Sequence, residues 1–168
     1  MTEAEFLPLF DQYRPMVYGL ALSYTRSPQD AVAVCPEVFL TLLEKPPAPW
    51  TERPWLARVA VNRCRDLLTS PWRRRRENDD TALERLTFET PEEAGLFAAL
   101  GALSPDSRAL PHLRYYEGFT VAELAPQFRT TAPPLSARLY RAQQHLRQKL
   151  EELGYEEAIS EDFLASPG

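Results

Sequence analysis

Cysteine, histidine and glycine are scarce in this chain, with two, two and six residues among 168. Two cysteines, Cys35 and Cys64, cannot build a disulfide framework or a zinc site unaided. Each falls in an apolar helical stripe, which predicts buried, inert thiols. His112 and His145 stand apart from any cluster of metal ligands, and the sequence shows neither a carboxylate pair nor a glycine-rich phosphate loop. No catalytic site, cofactor or metal is therefore expected. No apolar run approaches the roughly 18–20 residues that a membrane-spanning helix needs. The opening MTEAEFLPLF is acidic and lacks the basic start of a secretory signal. The expectation is a cytoplasmic protein without membrane insertion.

What is present is a composition that can fold, 44% hydrophobic and 26% charged. The net charge of −5 argues at first sight against a polyanionic partner. The average conceals a segregation. Residues 53–76 hold eight arginines against Asp66 alone, and residues 129–149 hold Arg129, Arg138, Arg141, Arg147 and Lys149 with no acid. Between them, residues 77–93 carry seven acids against Arg85, and the tail beyond Leu150 adds Glu151, Glu152, Glu156, Glu157, Glu161 and Asp162. Two basic blocks parted by an acidic one suggest two contact surfaces for a polyanion; solvated helix faces are the plainer alternative.

The hydrophobic period is helical nearly throughout. Thr2 and Glu5 form a capping box ahead of Phe6, Leu9, Phe10 and Tyr13, and after Pro15 the stripe resumes with Val17, Leu20, Ala21 and Tyr24. Ser27-Pro28 reads as an N-cap with proline in the first turn, opening a face of Ala31, Val34, Cys35, Val38, Phe39 and Leu42. A proline-rich connector over 46–54 leads to a helix with Leu56, Val59, Ala60, Arg63, Cys64 and Leu67, ending near Ser70-Pro71. From Trp72 to Pro91 the period fades, as in a linker. It returns at Leu96, Phe97, Leu100 and Leu103; Ser104-Pro105 then starts a helix that halts at Gly118. Thr120 and Glu123 form a second capping box on a short helix. A brief turn precedes a long helix with Leu135, Leu139, Ala142, Leu146, Leu150 and Leu153 on its buried side. A short helix, a turn and a longer basic helix make the helix-turn-helix pattern. The fold class is thus all-α, two small helical domains joined by a flexible acidic linker: 1–76, a linker at 77–92, 93–153, and an acidic tail at 154–168.

Three stretches in this order resemble the extracytoplasmic-function group of bacterial sigma factors. FDQYRPMVYGLALSYTRSPQDA at 10–31 with EVFLTLLEK at 37–45 is similar to the opening helices of region 2. WLARVAVNRCRDLL at 55–68, followed by WRRRRE, resembles that family's promoter-melting helix. ALGALSPDSRALPHLRYYEGFTVAELAPQF at 99–128 with LSARLYRAQQHLRQKL at 135–150 is similar to region 4. The resemblance implies a non-enzymatic initiation subunit whose partners are core RNA polymerase, promoter DNA and an anti-sigma factor. Its first domain would take the −10 element as a single strand and its second the −35 element as duplex.

On that reading Arg58, Asn62 and Arg65 project from the polar side of the 55–68 helix towards the strand. Trp50, Trp55 and Trp72 are aromatic partners for an extruded base, with burial in the core an equal alternative for Trp55. Arg73, Arg74, Arg75 and Arg76 would contact phosphates without regard to sequence. In the second domain Thr130, Thr131 and Ser136 would contact phosphates or base edges, and Arg138 and Arg141 would read guanine or clamp the backbone. Asp30 and Glu37 would meet polymerase. The sequence departs from the family's pattern in DAVAVCPEVF, where Val32 and Ala33 replace an acidic pair and Pro36 a glutamine. Pro111 and Pro126 also fall within helices. Two other readings stay open here: a stand-alone helix-turn-helix regulator, and a module that binds polymerase or an anti-sigma partner without initiating. The acidic tail is expected to fold over a basic surface and restrain DNA binding.

Overall fold

The structure, a computed structural model, describes residues 1–70 and 87–154. Contacts divide the chain into two compact units, Met1–Arg85 and Leu86–Gly168. Every regular element among the described residues is helical.

The first unit is a three-helix bundle of α1 (Glu3–Thr25), α2 (Pro28–Glu44) and α3 (Glu52–Thr69), each packed on the other two. Val17, Leu20 and Ala21 of α1, Ala31, Val38 and Leu42 of α2, and Leu56, Ala60 and Cys64 of α3 are fully enclosed. Burying one such leucine contributes about 1.5–3 kcal/mol. Phe10 meets Phe39 edge-on at 4.9 Å between ring centroids, closing the open end of the bundle together with Phe6. At Thr2 the side chain accepts the Glu5 N–H, but the Glu5 carboxylate takes the Thr2 hydroxyl and not its N–H, so the box is only half formed. Ser27 caps α2 by accepting the Asp30 N–H, with Pro28 in the first turn. The break in the stripe at Pro15 does not divide α1, which is continuous through Pro8 and Pro15. The connector ends earlier than its prolines suggest, because α3 already begins at Glu52.

The second unit contains α4 (Pro91–Leu100), α5 (Pro105–Pro111), a π-helical turn over His112–Tyr116, α6 (Val121–Gln127) and α7 (Ala132–Leu153). Leu96, Leu100, Leu113, Phe119, Leu124, Leu135 and Leu146 fill its core, and α4, α5 and α6 all pack on α7. The linker boundary at 92 moves back: Thr90 accepts the Glu93 N–H as the N-cap of α4, so Pro91 and Glu92 are already helical. Pro111 does interrupt its helix, in a specific way. It lacks the N–H that would continue the α ladder, and the chain widens into a π turn in which the Glu117 N–H reaches back to the His112 carbonyl at 3.1 Å. Gly118, at φ 79°, then reverses the chain in the left-handed region that only glycine enters freely. The capping box at Thr120 is complete, with Thr120 N–H donating to Glu123 at 2.9 Å and Glu123 N–H to Thr120 at 3.1 Å.

Candidate nucleic-acid interface

Helix α3 separates its residues by solvent contact. Leu56, Val59, Ala60 and Cys64 point inward, while Arg58, Asn62 and Arg65 follow one another at spacings of four and three on a single outer stripe about 10 Å long. Asn62 and Arg65 are exposed; Arg58 is half-buried and, like Arg65, engaged with other groups of the protein. Arg63 is also outward, its guanidinium donating to the Thr41 hydroxyl at 3.3 Å, which removes it from the apolar stripe that its spacing suggested. Trp55 is half-buried, so part of its ring serves the bundle and part meets solvent.

Trp50 behaves differently. It is 88% exposed and sits at φ 60°, a left-handed conformation that costs an L-residue about 1–2 kcal/mol. An indole that gains no burial and occupies a strained backbone position, just ahead of α3, is available for stacking. Trp72 and Arg73, Arg74, Arg75 and Arg76 lie outside the described residues.

The outer face of α2 carries Ala33, Glu37, Leu40 and Glu44, all exposed. Glu37 is thus open to solvent. Asp30 is not. Its side chain is fully buried, so it belongs to the interior of the bundle and cannot meet a partner at the surface without unfolding the start of α2. The first-turn acid follows from capping logic, near the positive end of the helix, and not from recognition. Between α1 and α2 lies an apolar groove of about 540 Å³, lined by Phe10, Arg14, Pro15, Tyr18, Val32, Cys35 and Pro36.

In the second unit, α6 and α7 are joined by a turn in which Arg129 stands at φ 54°, the left-handed position where glycine is usual. Thr130 N–H closes the turn on the Ala125 carbonyl at 3.0 Å. Thr130, Thr131 and Ser136 cluster around the start of α7, Thr131 and Ser136 exposed and Thr130 half-buried. Pro133 and Pro134 remove two of the N–H groups that would otherwise make this helix end an anion site, so the groups left there for an anion are the hydroxyls of Thr130, Thr131 and Ser136. Arg138 and Arg141 are exposed but lie on another flank of α7 from Ser136 and Tyr140. With His145 they line a cleft of about 240 Å³ against α5. The five predicted residues thus form two groups and not one patch. Tyr140, one turn beyond Ser136, is 62% exposed, a large aromatic that periodicity alone did not single out.

Two arginines are withdrawn from the cationic surface. Arg108 is 5% exposed and donates to the Leu100 and Leu103 carbonyls at 2.9 and 2.8 Å, capping the C-terminal end of α4. Arg114 is likewise buried and donates to the Phe119 carbonyl at 3.2 Å. His112, with no ligand cluster in sequence, pairs with Glu117 at 3.2 Å and stacks on Tyr116. Among the described residues no three His, Cys, Asp or Glu side chains group to hold a metal ion, and no helix is long and apolar enough to cross a membrane.

Residues 9–74 match the family model of sigma-70 region 2. The chain is 27% identical over 164 residues to the ECF RNA polymerase sigma factor SigE of Mycolicibacterium smegmatis, with 90% of this chain and 64% of that protein covered. It therefore spans less than two thirds of that relative's length. Its fold is similar to that of the sigma factor RpoE from Bartonella quintana, solved with the anti-sigma factor NepR. The TM-score is 0.64 at 16% identity, covering 88% of this chain and 97% of that one.

Proposed function

We propose that this chain is a sigma factor of the extracytoplasmic-function type, a transcription initiation subunit that binds core RNA polymerase and directs it to promoters through −10 and −35 elements; the match of residues 9–74 to sigma-70 region 2 and the similarity to SigE support this reading. The observation that carries this reading is the outer stripe of α3, within the region 2 match, where Asn62 and Arg65 face solvent; the connector ahead of that helix adds the exposed indole of Trp50. Cation, amide and aromatic ring are the three groups that hold a single strand: one neutralises phosphate, one pairs with a base edge, one stacks. The −10 element would be taken there, with Arg73 to Arg76 adding sequence-blind phosphate contacts.

In the second unit Thr130, Thr131 and Ser136 would fix the start of α7 on the duplex backbone at the −35 element, with Arg138 and Arg141 reaching bases or phosphates from the flank. Polymerase would meet the α2 face that carries Glu37 and Leu40. An anti-sigma factor would compete for these surfaces, and the work would take place in the cytoplasm. No covalent chemistry by this chain is required.

The test is run-off transcription with core polymerase over a library of genomic promoter fragments. Transcripts that depend on the chain are expected, and Asn62→Ala should reduce their yield about fivefold or more while leaving polymerase capture intact, as loss of one base contact worth about 1–3 kcal/mol requires. Polymerase capture without any transcript would overturn the initiation role and leave a polymerase-binding regulator. Duplex binding without polymerase capture would leave a stand-alone helix-turn-helix protein.

A further inference from the structure

The cleft between α5 and α7 combines two properties seldom found together on a surface meant only for duplex DNA. Its rim is cationic, with Arg138, Arg141 and His145 along one flank of α7, and its floor and far wall are apolar, with Leu103 and Leu110 beside Ser107. Neither arginine is hydrogen-bonded or ion-paired to another described residue, and both are exposed. Asp106 is the one acid on α5 and is already engaged with another group. Phosphates would use the rim and leave the apolar wall idle. A peptide bearing both acids and apolar side chains would use both.

Such a segment lies in the chain itself. Residues 155–168, YEEAISEDFLASPG, hold Glu156, Glu157, Glu161 and Asp162 with no Lys, Arg or His, and intersperse Ile159, Phe163 and Leu164. The described chain ends at Gly154, whose φ of 83° closes α7 in the left-handed conformation that turns a chain back from its helix axis. From Gly154 to Arg138 is sixteen residues along α7, about 24 Å at 1.5 Å per residue. Eight extended residues, about 26 Å, bring Asp162 to the same level. The segment is therefore long enough to reach both arginines and the cleft beside them.

We propose that residues 155–168 dock in this cleft as an acidic strap and compete with DNA for Arg138 and Arg141. The docking stands on charge, apolar match and reach; the competition rests on the reading of Arg138 and Arg141 as DNA contacts. In the free chain the strap would hold DNA affinity down. A duplex presented by assembled polymerase, at high local concentration, would displace it.

A spin label on Ser166→Cys in the full chain tests the docking without DNA, with the half-buried Cys35 replaced by alanine and Cys64 shielded by burial. At about 50 mM salt the amides of Ser107, Leu110 and residues 138–145 should broaden. The effect should vanish in E156Q/E157Q/E161Q/D162N, and it should persist when the labelled chain is diluted with unlabelled chain, since the contact lies within one molecule. No broadening, or broadening only between molecules, overturns the strap. Affinity for a duplex forms the second arm. The neutralised tail should bind about threefold or more tightly at low salt. Unchanged affinity alongside broadening overturns the competition, and if R138Q/R141Q then also leaves affinity unchanged, the fault lies in the DNA reading and not in the docking.

Discussion

Arginine has two opposite uses in this chain, and sequence distinguishes them poorly. Arg65 and Arg141 are exposed, whereas Arg108 spends its guanidinium on the Leu100 and Leu103 carbonyls in the interior. Arg108→Met removes both donors and leaves those carbonyls dry, which should destabilise the second unit by about 2–3 kcal/mol in urea denaturation. A loss under 1 kcal/mol would mean that water replaces the guanidinium. The cysteines offer a residue-scale test with a pH sign. Burial raises the Cys35 thiol to about 11, Arg14 opposing part of the rise, and raises Cys64 to about 12 with added repulsion from Cys35 and Asp30. The folded state therefore favours the protonated thiols. Their contribution is complete below the ordinary thiol value of about 8.5 and is lost as pH rises through 11 and 12. Native chain at pH 8 should resist iodoacetamide at both sites, and the first unit should lose stability steadily above about pH 9; rapid alkylation of Cys64 in folded protein would contradict this. The Arg58, Asn62 and Arg65 stripe was legible because helical spacing fixes which side of α3 is wet. Asp30 and Arg108 were misplaced or overlooked because charged residues are surface residues by default, and only their three-dimensional neighbours show otherwise.

At the scale of elements, capping signals carried the most information. Ser27-Pro28, Ser104-Pro105 and Thr120 with Glu123 each start a helix where they stand, since each side chain accepts an N–H that the helix leaves unpaired. Prolines were harder to read. Pro15 and Pro36 lie inside unbroken helices, while Pro111 converts its helix to a π turn. The difference is tertiary: α1 and α2 bury long apolar faces that outweigh one missing hydrogen bond, whereas α5 is two turns long and has little packing to spare. Pro36 is exposed, so its ring gains nothing from the core. Pro36→Ala restores the N–H to the Val32 carbonyl and should stabilise the first unit by about 1–3 kcal/mol. A rise in thermal midpoint with greater helicity by circular dichroism is the expected result. Unchanged stability would mean that the surrounding turn of α2 already relaxes around the ring.

For the whole molecule, the net charge of −5 and the proposed partner point in opposite directions, and salt dependence decides which governs. A uniformly acidic particle would bind DNA better as salt screens the repulsion. Segregated arginines predict the reverse. Each phosphate neutralised by Arg65, Arg138, Arg141 or a similar side chain releases counterions with a logarithmic slope near −0.9, so a fourfold rise in salt weakens binding about 3.5-fold per contact. With about four contacts, affinity for a promoter fragment should fall roughly 150-fold between about 50 and 200 mM salt. R138Q/R141Q should make that slope shallower by about two while lowering affinity at every sequence tested, the mark of backbone contact. If affinity instead collapsed for one sequence and the slope stayed put, the two arginines would be reading bases. A slope near zero would place the cationic faces out of contact with DNA altogether, because no arrangement of neutral hydrogen bonds reproduces counterion release.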